Sequence, residues 1–255
     1  MGVQADDESS TGASASFDYA LTAETWLLAS VGSARSPRDR ADVSAASYVF
    51  GVDHRFGLVG ANFALERWGD SGTVESTDYE AALYFRTDQW QVEVGYERRE
   101  IDIAYSFTGP LGREIEGKAP LDADGVSLSL NGTLTSRVRL FASATTYDYS
   151  RNLTVLPRVA ALNLLSASTL TLANSFVDRV ATIGFDAELG QKVFSVRIGQ
   201  DRSAVDGSEL SSFEAALLIP AGRRIDLELS LGRASSDVFE PSLYAGVLLI
   251  VYGGA

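Results

Sequence analysis

Ile225-Asp226-Leu227-Glu228-Leu229-Ser230-Leu231 carries an apolar residue at every odd position and an acid or a hydroxyl between. Val126-Ser127-Leu128-Ser129-Leu130-Asn131-Gly132-Thr133-Leu134 repeats the alternation. Successive side chains of a β-strand point to opposite faces, so each stretch has one apolar face and one polar face. The pattern recurs along most of the chain, in segments near the ~9–11 residues that a tilted strand needs to cross a bilayer.

Working outward from these two stretches, strands are expected at about 25–34, 44–54, 57–68, 76–86, 89–105, 124–134, 137–149, 179–189, 192–202, 209–219, 223–234 and 241–252. The connections are of two kinds. Tight ones fall at 86–89, 135–137, 190–192, 220–223 and the His54-Arg55-Phe56-Gly57 corner; longer, polar ones at 35–43, 69–76, 107–123, 150–178, 202–209 and 234–241. Residues 1–14 are acidic and rich in Ser, Gly and Thr, and are expected to form a flexible tail before a single barrel domain over 15–255. The expected fold is an all-β, transmembrane, antiparallel up-and-down barrel of twelve strands. Phe17-Asp18-Tyr19-Ala20-Leu21 also alternates, which makes fourteen the alternative, since an even count closes antiparallel.

The faces follow from the phase. Tyr48, Phe50, Phe63, Leu65, Leu83, Phe85, Val92, Val94, Ile183, Phe185, Leu227 and Leu229 fall on the apolar side of their strands. The opposite side carries Glu66, Glu80, Glu93, Glu97, Arg137, Arg139, Asp186, Glu188, Arg197, Glu214, Asp226 and Glu228. Charges on so many interior faces cannot fill a dry core, because each unpaired buried charge costs several kcal/mol. They can line a wet lumen, with the apolar side turned to lipid. Aromatics at strand ends (Phe56, Trp68, Trp90, Tyr147, Phe194, Tyr252) read as interfacial girdles.

Composition excludes several classes. The net charge of −13 argues against nucleic acid as a partner, because phosphates need a basic surface. With no cysteine there is no disulfide or thiolate metal site, and with one histidine no histidine cluster; no metal or cofactor is expected. No stretch reaches the ~18 apolar residues of a membrane helix. Met1 to Glu8 lacks the basic and apolar regions of a secretory signal, so the export signal is expected to have been removed, with Met1-Gly2 in its place.

The alternation, the asymmetry of turns and the final strand Ser242 to Tyr252, with its terminal aromatic, resemble bacterial outer-membrane β-barrel proteins of the porin-like and translocator types. The resemblance implies an outer-membrane location, contact with membrane lipid and lipopolysaccharide, and recognition of the last strand by the barrel-assembly machinery. Its members include solute channels, an outer-membrane phospholipase and translocator domains, so three functions are in view. The first is a passive channel whose acidic lumen admits small cationic or neutral solutes. The second is a non-conducting anchor or translocator, and the third an acylhydrolase.

Residues that carry chemistry favour the first two. Gly69-Asp70-Ser71-Gly72 matches a serine-nucleophile motif, but its only histidine, His54, is expected at the other end of the barrel, and a turn accounts for it. Asp122-Ala123-Asp124-Gly125 opens like a calcium loop without the downstream acids and reads as a loop-to-strand turn. The inward carboxylates can form a cation-attracting wall, or pair with the arginines into a network that closes the pore. Loop 150–178 is long and apolar, with Leu156, Arg158, Leu162 and Leu165 at partly helical spacing. It is expected to narrow the mouth or to dock a protein partner.

Overall fold

The structure, a computed structural model, describes residues 1–6, 11–36, 43–70, 74–108, 114–150, 176–204, 207–222, 224–237 and 241–252. These form fourteen strands: β1 Gly2–Asp6, β2 Thr11–Ala20, β3 Thr25–Ser36, β4 Val43–Phe56, β5 Val59–Asp70, β6 Val74–Arg86 and β7 Trp90–Thr108, followed by β8 Glu114–Thr135, β9 Val138–Tyr149, β10 Val177–Leu189, β11 Lys192–Ser203, β12 Glu209–Pro220, β13 Ile225–Ser236 and β14 Ser242–Val251. Each pairs antiparallel with the next, and β1 pairs with β14 to close the barrel, Gly2 opposite Leu248 and Asp6 opposite Tyr244. A spanning sheet must close because lipid offers no partner to a free backbone edge.

The barrel has the fourteen strands of the alternative and not the twelve of the first expectation. The added pair is β1 and β2, drawn largely from the residues read as a tail: Gly2 to Ala5 lie opposite Ser14 to Thr11. Small residues on both faces of Thr11 to Ser16 give little contrast between apolar and polar positions, and β1 has only five residues. Tight turns join β2 to β3, β4 to β5 and the later pairs at one end of the barrel. Gly57 (φ 74°) and Gly190 (φ 71°) supply the left-handed backbone that two such turns require. Tyr252, the last described residue, lies at this turn end, and the Met1 amino group donates to the Leu249 carbonyl at 2.8 Å.

Directly paired residues share a face, so one face can be followed around the wall. Val59 opposes Phe85, Phe85 opposes Val92 and Val92 opposes Leu130. Further round, Ala215 opposes Leu231 and Leu231 opposes Ala245. This face is exposed, with Leu83 66% and Leu231 63% accessible, and is the outer surface. The other face contains the buried residues and is the inside.

The assignment reverses toward the loop end of β5 to β8. Val92, Val94 and Tyr96 point outward on β7, whereas Ile101 and Ile103, of opposite parity, point inward and are 3% and 2% exposed. Leu121 on β8 and Trp68 and Val74 on β5 and β6 do the same, and with Phe176 they form one apolar cluster. Outside, at that level, stand Arg67, Glu75, Arg98, Glu100, Lys118, Asp122 and Asp124, joined by ion pairs of 3.3–3.6 Å. The outer face changes from apolar to charged between Tyr96 and Arg98. Above that line the barrel obeys the rule of a soluble protein, apolar in and charged out. Strands β7 and β8, of 19 and 22 residues, extend well beyond the boundaries expected from the lipid-facing pattern.

Candidate functional site

The inner face below the apolar cluster is the candidate site. On β5 to β9 it is built in rows of directly paired residues. One row is Glu66, Asp78, Arg99, Ala123 and Tyr149, and the next toward the turn end is Ala64, Glu80, Glu97, Gly125 and Tyr147. Arg99 is the centre. Its guanidinium pairs with Glu97, lies 3.7 Å from Asp78, donates to the Tyr147 hydroxyl at 2.7 Å, and sits 4.1 Å over the Tyr147 ring. Tyr147 in turn donates to Glu97 at 2.7 Å. Asp78 also accepts from the Trp68 indole at 3.1 Å and from Ser76. These groups are mostly buried, with Arg99, Asp78 and Glu97 side chains 12%, 9% and 18% exposed, as charge-assisted bonds require if a buried charge is to be tolerated. Tyr149 reaches from the same wall to the Val177 carbonyl at 2.9 Å, tying this network to the root of the long connection.

Nearer the turn end, Tyr84 donates to Asp53 at 3.0 Å and Asn62 to Glu93 at 3.4 Å. On the facing wall, Arg197 pairs with Glu214 at 3.5 Å, Ser195 donates to Asp186 at 2.8 Å, and Tyr252 donates to Asp226 at 2.8 Å. Arg197 and Glu214 belong to a row that runs Phe141, Gly184, Arg197, Glu214, Gly232, Tyr244 across β9 to β14. The tyrosines are laid flat by glycines. A Cβ on Gly125 would stand 2.6 Å from the Tyr147 ring, and one on Gly232 2.2 Å from that of Tyr244.

Of the residues expected inside, Glu66, Glu80, Glu93, Glu97, Arg139, Asp186, Glu188, Arg197, Glu214, Asp226 and Glu228 occupy inward register positions. Arg137 does not: it lies in the β8–β9 turn, where its amide donates to the Thr135 hydroxyl at 3.2 Å. Trp68, Tyr147 and Tyr252, expected in the outer girdle, have their polar atoms on the inward carboxylates Asp78, Glu97 and Asp226. His54 lies within β4, beside Phe56 and 2.8 Å from the Thr25 hydroxyl. Gly69 opposes Ala46 whereas His54 opposes Ala61, so Gly69 and the histidine are about 25 Å apart along β4, and Ser71 and Gly72 lie outside the described residues. Asp122 and Asp124 lie inside strand β8, opposite Glu100 and Arg98, and not in a turn. Leu156, Arg158, Leu162 and Leu165 lie outside the described residues. The sequence reading missed Asp78 and Arg99 as site residues, although each shares its face with a neighbour two positions away, Glu80 and Glu97.

Among the described residues every ion pair joins side chains on the same strand or on strands at most two apart, so the pairs run along the wall and none bridges the lumen. Glu66, Glu80 and Glu93 make no ion pair in that set.

Neither a family model nor a curated protein matches the sequence. Solved structures do. OmpT, an outer-membrane protein of Vibrio cholerae, in a form lacking loop L8, aligns over 98% of this chain and 96% of its own with 7% identity and a TM-score of 0.53. The NanC porin aligns over 99% and 98% with 7% identity and a TM-score of 0.50. The fold is that of bacterial outer-membrane porins. Within the porin fold the short turns lie on the periplasmic side and the long connections outside the cell. In this chain the apolar cluster around Phe176 lies at the end of the long connections, and Asp53 and Trp26 in the half with the short turns.

Proposed function

We propose that this barrel is a passive channel of the bacterial outer membrane whose acidic lumen admits small cationic or neutral solutes. The observation that carries the reading is the charge of the inner face. Carboxylates on β2, β4 to β7 and β10 to β13 outnumber the inward arginines, and the arginines that pair do so along the wall. A low-dielectric wall lined by one sign of charge concentrates counter-ions and excludes co-ions. Arg99 acts as a brace within that wall, holding Asp78 and Glu97 in place, while Glu80 and Glu93 face the solute.

Reversal potentials of the purified barrel across a planar bilayer under a KCl gradient test this. Preference for K⁺ is expected. A folded, heat-modifiable barrel that passes no current would sink the channel reading, and chloride preference would refute the role given to the acids. The second reading, a non-conducting anchor or translocator, draws support from one feature: Trp68, Ile101, Ile103, Leu121 and Phe176 fill part of the external mouth with packed apolar side chains. The same measurement separates the two.

A further inference from the structure

Four strands round the wall from Arg99, β3 holds a feature that packing alone does not explain. Trp26 and Leu28, on β3, share the inner face with Asp53 and Gly51, their direct partners on β4. They are nevertheless 44% and 38% exposed. On that face of β5 to β8 the large apolar groups are packed away: Trp68, Val74, Ile101, Ile103 and Leu121 in the cluster at the loop end, and the Tyr84 ring over Gly60 with its hydroxyl on Asp53. An indole and an isobutyl group left open to water inside a charged tube are a contact surface awaiting an apolar partner.

The neighbours say what charge that partner carries. Leu28 lies opposite Asp18 on β2, and Trp26 opposite Asp53 on β4. Neighbouring strands are about 4.8 Å apart, so a carboxylate stands one strand away on either side of the apolar pair. Beyond Asp53 and Gly51 the wall is low, with Ala64 and Ala82 alongside Asn62, and then rises again at Glu80 and Glu93. From Leu28 to Glu80 is three strand spacings, about 14 Å. Toward the turn end Tyr84 covers Gly60 and bonds Asp53, and Arg55 shares the inner face, so the result is a shallow trough between the Trp26 and Tyr84 rings, with Asp18 and Asp53 beside it and small residues toward the loop end.

We propose that Trp26, Leu28, Asp18 and Asp53 form a binding station for organic cations that carry an apolar or aromatic body. The inference rests on the acid-lined lumen described above and narrows its solute class. The cation is held by the carboxylates and by the π-face of Trp26, and the apolar body covers Leu28 and the indole. A bare inorganic cation lacks the second contact and an organic anion is repelled by the first. Trp26 is the second residue of β3, so the station lies near the turn end and is reached first from the periplasmic side.

Benzyltrimethylammonium is the probe, with tetramethylammonium and benzenesulfonate as controls. Two readouts are needed: block of single-channel current in a planar bilayer, and isothermal titration calorimetry of the micelle-bound barrel, which requires no conduction. Benzyltrimethylammonium is expected to bind about tenfold more tightly than tetramethylammonium, and benzenesulfonate not to bind. Trp26→Ala and Asp53→Asn are each expected to weaken benzyltrimethylammonium about five- to tenfold. Trp26→Phe, which keeps an aromatic face, is expected to retain most of the affinity. Equal affinity in the original and Trp26→Ala barrels would overturn the station, as would equal binding of benzenesulfonate. A silent barrel that binds the probe through Trp26 would remove the channel reading and leave the station. A cation-preferring barrel that ignores the probe would do the reverse.

Discussion

Replacing Arg99 with methionine keeps the length of the side chain and removes its charge. The guanidinium now meets Glu97 and Asp78, donates to Tyr147 at 2.7 Å and covers its ring at 4.1 Å. Its loss leaves Asp78 and Glu97 ionised, mostly buried and without a cation, a situation that costs about 3–5 kcal/mol when one partner of a buried pair is removed. The lost contact with the Tyr147 ring belongs within that range, at about 0.5–2 kcal/mol. The expected destabilisation is therefore about 3–5 kcal/mol, far above the ~0–1 kcal/mol of an exposed pair such as Arg67 with Glu75. Urea unfolding of the barrel in lipid vesicles, followed by tryptophan fluorescence and gel mobility, measures it. Adding Asp78→Asn and Glu97→Gln to Arg99→Met should recover at least half of the loss, because the residual groups are then neutral and still hydrogen-bonded. A cost of Arg99→Met below about 1 kcal/mol, or no recovery in the triple variant, would refute the view that this wall is a braced charge network.

Adjacent residues on β13 test the two faces. Leu229→Arg, on lipid, is expected to cost about 2–4 kcal/mol of stability, whereas Glu228→Arg, in the lumen, should change unfolding little and shift the reversal potential toward chloride. Phe176→Ala empties a position that is 4% exposed in the apolar cluster, and should lower stability by about 3–5 kcal/mol and raise single-channel conductance. Glu80→Gln with Glu93→Gln should lower the K⁺/Cl⁻ permeability ratio, most strongly at low salt, where screening is weakest. Unchanged selectivity in that pair would locate the field elsewhere in the lumen.

The alternation of residues 225–231 was enough to place lipid on one side of β13 and water on the other, because a period of two allows no other assignment once one face carries Asp226 and Glu228. The same reasoning ended β7 too early. It treats apolar residues as outward, and at Ile101 and Ile103 the solvent outside has changed from lipid to water, so the phase reverses while the strand continues. Residues 114–123 were lost to a loop for the same reason. Strand β1 was illegible for a different cause. It pairs on one side with β2 and on the other with β14, more than two hundred residues away, and nothing in Gly2-Val3-Gln4-Ala5-Asp6 announces a partner at Tyr244 to Leu248. In the site, the charged residues were legible as inward positions, but their division into brace and solute-facing groups was not. That division depends on Arg99 lying directly beside Asp78 and one row from Glu97 and Tyr147, a matter of register between β6, β7, β8 and β9.

The glycines beneath the tyrosines set the clear aperture. A tyrosine standing off a strand would reach into the passage by the length of its ring, whereas Tyr147 and Tyr244 lie down across Gly125 and Gly232 and occupy only a ring's thickness. Residues with no side chain thus keep these rings against the wall, as Gly60 does for Tyr84 and Gly184 for Phe141. Alanine at either place would force the ring off the wall toward the lumen while leaving every lining charge in the sequence as it was, so the bore and the charge of the wall are set by different residues.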